Sequence, residues 1–205
     1  NEIIERKKEV LSKYEKMDLG KLIIKEYPTG SASVMTLRNH IEKLTLKGMK
    51  PSLITVDYAD VMKSSKAYDS LRHELKLIYT ELRNLAVDLQ IPIWTASQAN
   101  KDSSKTEVVG LENLGECYGK AQVADVVISI SRKPMEKSTG GGRIFVAKNR
   151  AGRDGLLFPI NIDTAMSKFT ILDETELTLN EAVSQDQSSM KQKLKEKWNE
   201  VNKKW

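Results

Sequence analysis

Short apolar runs alternate with amphipathic helical patterns through most of this sequence. Strand-like runs lie at residues 21–27, 52–59 and 91–98, and a helical pattern occupies each interval between them. The clearest helical pattern covers residues 68–90, where apolar side chains recur every three or four positions. Because strands that are separated by helices of this length form βαβ units, the pattern predicts a parallel sheet.

The pattern changes after a further strand-like run at residues 125–131. The runs "GRIFVAKN" and "LLFPINID" are joined by the short polar stretch "RAGRD", which predicts an antiparallel hairpin. We therefore predict an α/β fold with a mostly parallel sheet, flanking helices and an antiparallel edge hairpin. Residues 1–173 would form this domain, and residues 174–205 a polar linker with a C-terminal amphipathic helix. Trp94, inside the third strand, is predicted to lie in the core.

The composition excludes several classes of protein. Cys117 is the single cysteine among the 205 residues, so neither an intrachain disulfide nor a cysteine metal cluster can form. No apolar run approaches the roughly 18 residues that a membrane span needs, and nothing resembles a signal peptide. We expect a soluble, cytosolic protein without a membrane partner. The formal net charge of +5 permits a polyanionic partner such as nucleic acid.

Three apolar runs end on a polar side chain. Asp57 follows "LITV", Gln98 ends "IPIWTASQ", and Arg132 follows "DVVISIS". Ligands of open parallel sheets bind beyond the carboxyl ends of the strands. A carboxylate at that position is suited to hold a hydrated Mg²⁺ beside a nucleoside triphosphate, as in P-loop ATPases. The alternative interpretation is that Asp57 only caps a turn.

Four segments in this order resemble one known family. They are "SLITVDYADVM", "IPIWTASQAN", "LGECYGKAQVADVVISISR" and "IFVAKNRAGRDGLLFPI". Together they resemble the RecA-type motor domain of DnaB-like hexameric replicative helicases. The stretch "GKLIIKEYPTGSASVMTLRNHIEKL" is particularly similar to the replicative helicases of T-even-type phages. The resemblance covers roughly residues 20–172 and implies a RecA-like fold.

The resemblance implies roles for individual residues. Asp57 matches the family's Walker B aspartate, which holds Mg²⁺, and Gln98 matches the polar sensor that reports the γ-phosphate to the DNA-binding loops. Lys148 and Arg150 match the basic pair that reaches across a subunit interface to the neighbour's ATP. These four residues would bind ATP, or another nucleoside triphosphate, with Mg²⁺. The alternative for "KNRAGRDG" is a basic, solvent-exposed hairpin turn.

The family's two central-channel loops, which bind single-stranded DNA, correspond to "MKSSKAYD" and "NKDSSKTEVVGLENLGE". Lysines in these stretches could meet phosphates, and backbone amides could follow the strand without reading its sequence. The alternative for each lysine is ordinary solvated surface charge. The candidate DNA-contacting residues are Lys63, Lys66, Lys101, Lys105, Gly115 and Glu116.

A phosphate-binding loop of the form GxxxxGK[ST] does not occur in the 205 residues. The Gly-rich "STGGGR" lacks the lysine and the hydroxyl residue, and it precedes a strand instead of a helix. The family's catalytic glutamate is missing too. We therefore expect no ATP hydrolysis by this chain alone, and apolar surface left uncovered on its sheet. We favour the C-terminal portion of a longer helicase; the alternative is a split or degenerate protein whose partner supplies the other half.

These features together predict part of an ATP-dependent replicative DNA helicase of phage type, acting in the bacterial cytoplasm. Its subunits would form a homo-oligomeric ring, a hexamer, and its partners would be single-stranded DNA and a primase or helicase loader. Two alternatives stay open. One is a RecA- or RadA-type recombinase fragment, which "KNRAGRDG" fits less well. The other is a noncatalytic single-stranded nucleic-acid-binding module, which predicts DNA binding indifferent to nucleotide.

Overall fold

The structure, a computed structural model, describes residues 2–15, 20–100, 108–111 and 118–172. The helices are α1 (Glu2–Glu15), α2 (Val34–Leu46), α3 (Leu71–Leu89) and α4 (Gly119–Val123). The strands are β1 (Ile54–Val56), β2 (Ile93–Thr95), β3 (Val126–Ser131), β4 (Gly141–Asn149), β5 (Leu156–Asp163) and β6 (Lys168–Ile171). No helix within these ranges is long and apolar enough to cross a membrane. The predicted C-terminal helix lies outside the described residues.

The described strands form two sheets. β1 and β2 pair in parallel, with Ile54 opposite Ile93 and Val56 opposite Thr95, and α3 connects them. β3, β4, β5 and β6 form an antiparallel sheet in that order. The predicted α/β architecture, with a parallel βαβ unit and an antiparallel hairpin, is confirmed. The hairpin is extended by β6, a strand that the sequence analysis did not predict.

Helix α3 supplies the core beneath the parallel pair. Its buried residues follow the three- and four-residue spacing that places side chains on one face of a helix: Leu75, Ile78, Tyr79, Leu82 and Leu85. Most of these side chains pack in one cluster with Ile41 of α2, Ile54 of β1 and Ala59. Since apolar burial contributes about 25 cal/mol per Å² removed from water, this cluster holds β1 and β2 against α3.

The turn that follows β1 is fixed by backbone hydrogen bonds to the segment before α2. The Gly30 amide donates to the Val61 carbonyl at 2.9 Å, and the Lys63 amide donates to the Ala32 carbonyl at 2.8 Å. Val61 is the last residue of a short 3₁₀ turn at Ala59–Val61, and Lys63 lies two residues beyond it. The backbone just beyond Asp57 is therefore hydrogen-bonded to residues 30–32 in addition to the pairing of β1.

Two predictions about the strands were wrong. Residues 21–27 form no strand, and Leu22 and Ile24 are exposed. Their apolar, β-branched composition favours extended backbone, but a strand also needs a hydrogen-bonded neighbour, and none of the described strands pairs with them. Trp94 was expected in the core, yet 52% of it is exposed. Within the described residues β2 pairs only with β1, so its other edge is unpaired.

Truncating the centre of the α3 core tests this packing. Leu85 has no exposed surface, so Leu85→Ala leaves a cavity and is expected to lower the free energy of unfolding by about 2–5 kcal/mol. Val87→Ala on the exposed face of the same helix is the control, with an expected change within about 0.5 kcal/mol. Urea denaturation followed by circular dichroism measures both, and similar losses for the two variants would contradict the assigned face.

Candidate functional site

Asp57 and Gln98 lie at the same edge of the parallel pair. Asp57 follows β1 directly, and Gln98 lies three residues beyond the end of β2. Because the two strands are parallel and Val56 is opposite Thr95, their carboxyl ends meet at one rim. Both side chains are exposed. The structure thus brings together the two residues that the sequence analysis assigned to a nucleotide site.

The Asp57 carboxylate is available to a ligand from solvent. Among the residues that the structure describes, none forms a hydrogen bond or an ion pair with this carboxylate. The described residues also contain no cluster of three or more His, Cys, Asp or Glu side chains that could hold a metal. A single exposed carboxylate fits Mg²⁺, which is commonly bound through one or two carboxylates together with waters and substrate phosphates.

A partly buried polar cluster includes residues that adjoin the rim in the sequence. The Asp60 carboxylate accepts from the Tyr79 hydroxyl at 2.8 Å, from the Ser97 hydroxyl at 3.2 Å and from the Lys120 ammonium at 2.8 Å. This cluster was not predicted from the sequence. Its sequence signal is a second acid, Asp60, three residues after Asp57, but the lysine that pairs with it is 60 residues away.

A threonine hydroxyl ties the two strand ends together. Thr95 Oγ1 accepts from the Ala59 amide at 2.9 Å and donates to the Val56 carbonyl at 3.0 Å. Its partners lie on either side of Asp57 in the sequence. The backbone that carries Asp57 is therefore bonded to β2 on both sides of the carboxylate.

Lys148 and Arg150 lie at the end of β4 and both contact their own chain. The Lys148 ammonium donates to the backbone carbonyls of Ala121, Gln122 and Ala124 at 2.7, 3.2 and 2.7 Å. These carbonyls lie at the carboxyl end of α4, where a cation is favourable. Burial lowers the pKa of Lys148, and the charge of Arg150 acts in the same direction.

Arg150 is held by Asp125. Its amide donates to the Asp125 carbonyl at 2.9 Å, and its guanidinium lies 3.1 Å from the Asp125 carboxylate. Asp125 also pairs with Arg83 of α3 at 3.0 Å. Both partners of the Arg150 pair are about half exposed, and exposed pairs of this kind contribute only about 0–1 kcal/mol. The ion pair therefore holds Arg150 only weakly, and its guanidinium also donates to the Gln122 carbonyl at 3.1 Å.

The candidate DNA-contacting residues are only partly covered by the structure. Lys63 and Lys66 are exposed and lie in the segment between the 3₁₀ turn and α3. The other four lie outside the described residues: Lys101, Lys105, Gly115 and Glu116. The DNA-binding role of all six stays a prediction.

Comparison with known families decides the class of this domain. The family described as the DnaB-like helicase C terminal domain matches residues 2–171. The chain belongs to this family. The predicted family is thereby confirmed, while the nucleotide-binding roles of Asp57 and Gln98 stay predictions.

Individual relatives of this DnaB-like domain are replicative helicases. A DnaB-like replicative helicase of Enterobacteria phage T4 is 36% identical over 120 residues, which are 57% of this chain and 25% of the relative. A probable plasmid replicative DNA helicase of Chlamydia psittaci is 33% identical over 127 residues, or 58% of this chain and 27% of the relative. The chain thus spans about a quarter of the length of these relatives.

Solved structures agree on the fold of the DnaB-like domain. One solved ATPase domain matches with a TM-score of 0.62 at 21% identity, covering 69% of this chain and 52% of that chain. A DnaB-like replicative helicase, described with its interactions with primase, also matches with a TM-score of 0.62. Its sequence identity is 20%, and the match covers 69% of this chain and 36% of that chain. The predicted RecA-like α/β fold is confirmed.

The contacts of Lys148 predict a stability effect. Lys148→Met removes the donor to three carbonyls at the end of α4, and we expect the free energy of unfolding to fall by about 1–2 kcal/mol. Lys76→Met, at an exposed position on α3, is the control and should leave the free energy of unfolding unchanged. Urea titration measures both variants. An unchanged midpoint for Lys148→Met would show that its ammonium does not cap α4.

Proposed function

We propose that this chain is part of an ATP-dependent replicative DNA helicase that forms a ring on single-stranded DNA and unwinds duplex DNA. The observation that carries the proposal is the shared rim of Asp57 and Gln98 in a chain of the DnaB-like family. The replicative helicases among its relatives support the same conclusion.

Asp57 would hold Mg²⁺ through water beside the phosphates of ATP or another nucleoside triphosphate. The bound ion supplies positive charge that neutralises the triphosphate. Gln98, on the same rim, would donate a hydrogen bond to the terminal phosphate. Because Gln98 leads into the polar stretch with candidate DNA contacts, a change in its position would alter the start of that stretch.

Arg150 would act on the nucleotide of the neighbouring subunit. Its exposed pair with Asp125 is weak enough to be exchanged for a phosphate. There the guanidinium would stabilise the negative charge that spreads over the phosphoryl oxygens in the transition state, an effect worth about 10³–10⁵ in rate. Lys148, two residues earlier on the same strand end, would add a second positive charge.

The phosphate cradle would come from residues other than these 205, which contain no GxxxxGK[ST] stretch. The chain alone would then be inactive, and activity would belong to an assembly that includes such a loop. A hexameric ring with heterologous contacts would present each Arg150 to the next subunit. A primase or a helicase loader would be a further partner, since one solved relative is described with its interactions with primase. Its setting would be the cytoplasm of a phage-infected bacterium.

Mixed rings test whether Arg150 acts on the neighbouring subunit. In the assembled helicase, Arg150→Ala and Asp57→Asn are each expected to lower kcat for ATP hydrolysis at least about 10³-fold, with nucleotide affinity largely kept for Arg150→Ala. When the two variants are mixed, an interface that joins an intact Asp57 to a neighbour's intact Arg150 forms again. A fraction of the parent activity should therefore return.

Arg153→Ala is the matched control, because Arg153 is another exposed arginine of the same turn. It should hydrolyse ATP at the parent rate, alone and in mixed rings. Mixed rings that stay inactive would contradict action across the interface, and an Arg150→Ala ring at the parent rate would remove Arg150 from the reaction.

Salt dependence tests the DNA contacts of Lys63 and Lys66. If each lysine meets one phosphate, Lys63→Ala and Lys66→Ala should each reduce the slope of log affinity for single-stranded DNA against log salt by about 1. Lys47→Ala, on the exposed end of α2, should leave the slope unchanged. Fluorescence anisotropy with and without nucleotide measures affinity. Binding that is indifferent to nucleotide would favour the noncatalytic binding module.

A further inference from the structure

Lys120 is a buried cation whose partners adjoin Asp57 and Gln98 in the sequence. Its relative exposure is 2%, and its ammonium lies 2.8 Å from Asp60 Oδ2 and 3.2 Å from Ser97 Oγ. Burying an ammonium is unfavourable unless it is paired and hydrogen-bonded. The position of Lys120 is therefore coupled to the positions of Asp60 and Ser97.

The Asp60 carboxylate is fixed from three parts of the chain. Its Oδ1 accepts from the Tyr79 hydroxyl of α3, and its Oδ2 accepts from Ser97 after β2 and from Lys120 of α4. The Lys120 ammonium also lies 5.5 Å from the centroid of the Tyr79 ring. Because both oxygens are engaged in different directions, the carboxylate has little freedom to rotate.

The partners of Lys120 adjoin both candidate site residues in the sequence. Asp60 lies three residues after Asp57, and Ser97 immediately precedes Gln98. A side chain that holds Asp60 and Ser97 therefore constrains the backbone at both positions on the rim. Lys120 also follows, in the sequence, the stretch that contains the candidate DNA-contacting Gly115 and Glu116.

We propose that Lys120 is a positioning residue for nucleotide hydrolysis. By holding Asp60 and Ser97, it sets the distance between Asp57 and Gln98, while its own buried ammonium contacts neither nucleotide nor metal. This role rests on the proposed function, which assigns the reaction to Asp57 and Gln98. The proposed role assigns a part in hydrolysis to a residue of α4, a helix that lies outside β1 and β2.

A charge-neutral double substitution tests the role without leaving a buried charge unpaired. Asp60→Asn together with Lys120→Met removes both charges, and the asparagine Oδ1 can still accept from the Tyr79 hydroxyl. We expect a melting temperature within about 3 °C of the parent. In the assembled helicase we expect kcat for ATP hydrolysis to fall about tenfold, with KM within about threefold, because binding persists while the rim is misaligned.

Lys76→Met, at the exposed position on α3, is the matched control and should leave kcat, KM and melting temperature unchanged. A double variant that hydrolyses ATP at the parent rate would overturn the proposal. A fall in kcat that matches only a smaller folded fraction would also overturn it, because Lys120 would then serve stability alone. If Lys120→Met by itself fails to fold, the double variant still decides.

Hydrogen exchange separates this proposal from the proposed function. The Ala59 amide, which donates to Thr95 Oγ1, should exchange at least about tenfold faster in the double variant. The Gly155 amide, bonded to Val146 in the antiparallel sheet, should be unaffected. If the parent assembly hydrolyses no ATP, the proposed function fails, while exchange at Ala59 still tests positioning. Unchanged exchange at Ala59 would overturn the role of Lys120.

Discussion

The parallel pairing of β1 with β2 is the contact on which the candidate site depends. It covers three residues of each strand, from Ile54 opposite Ile93 to Val56 opposite Thr95. A slip of one residue would turn the apolar side of a strand away from α3 and move Gln98 relative to Asp57. The apolar core of α3 therefore does more than stabilise the domain, because burying Ile54 on one side of β1 fixes the register that aligns the rim.

The sequence predicted those parts of the structure that local patterns determine. Helix α3 and the hairpin of β4 and β5 were predicted because periodicity and turn composition are properties of adjacent residues. The shared rim of Asp57 and Gln98 followed from chain order and parallel pairing. Residues 21–27 and Trp94 were wrongly predicted, because strand formation and burial depend on neighbours that the local pattern does not reveal. The functional roles themselves came from resemblance, and those of Asp57, Gln98, Lys148 and Arg150 all stay predictions.

Lys120 shows why part of the site could not be predicted from the sequence. In the sequence it is one of two polar residues of a short helix, and nothing nearby indicates burial. Its counter-ion is 60 residues away and its aromatic neighbour lies on α3. Lys148 is not part of α4 but contacts it: it lies on β4 and donates to carbonyls at the carboxyl end of this helix. Helix α4 is therefore held to the parallel pair through Lys120 and to the antiparallel sheet through Lys148.

Both sheets expose apolar side chains within the ranges that the structure describes. Within the described ranges β2 pairs only with β1, and β3 pairs only with β4, so each has a free edge. Trp94 on β2 and Ile128 and Ile130 on β3 are exposed, although strands of a covered sheet are apolar on both faces. A further strand paired in parallel to the other edge of β2 would end beside Gln98, with β2 between it and Asp57. Such a strand would satisfy the unpaired backbone groups of this edge, and a phosphate-binding loop that followed it would lie at the rim.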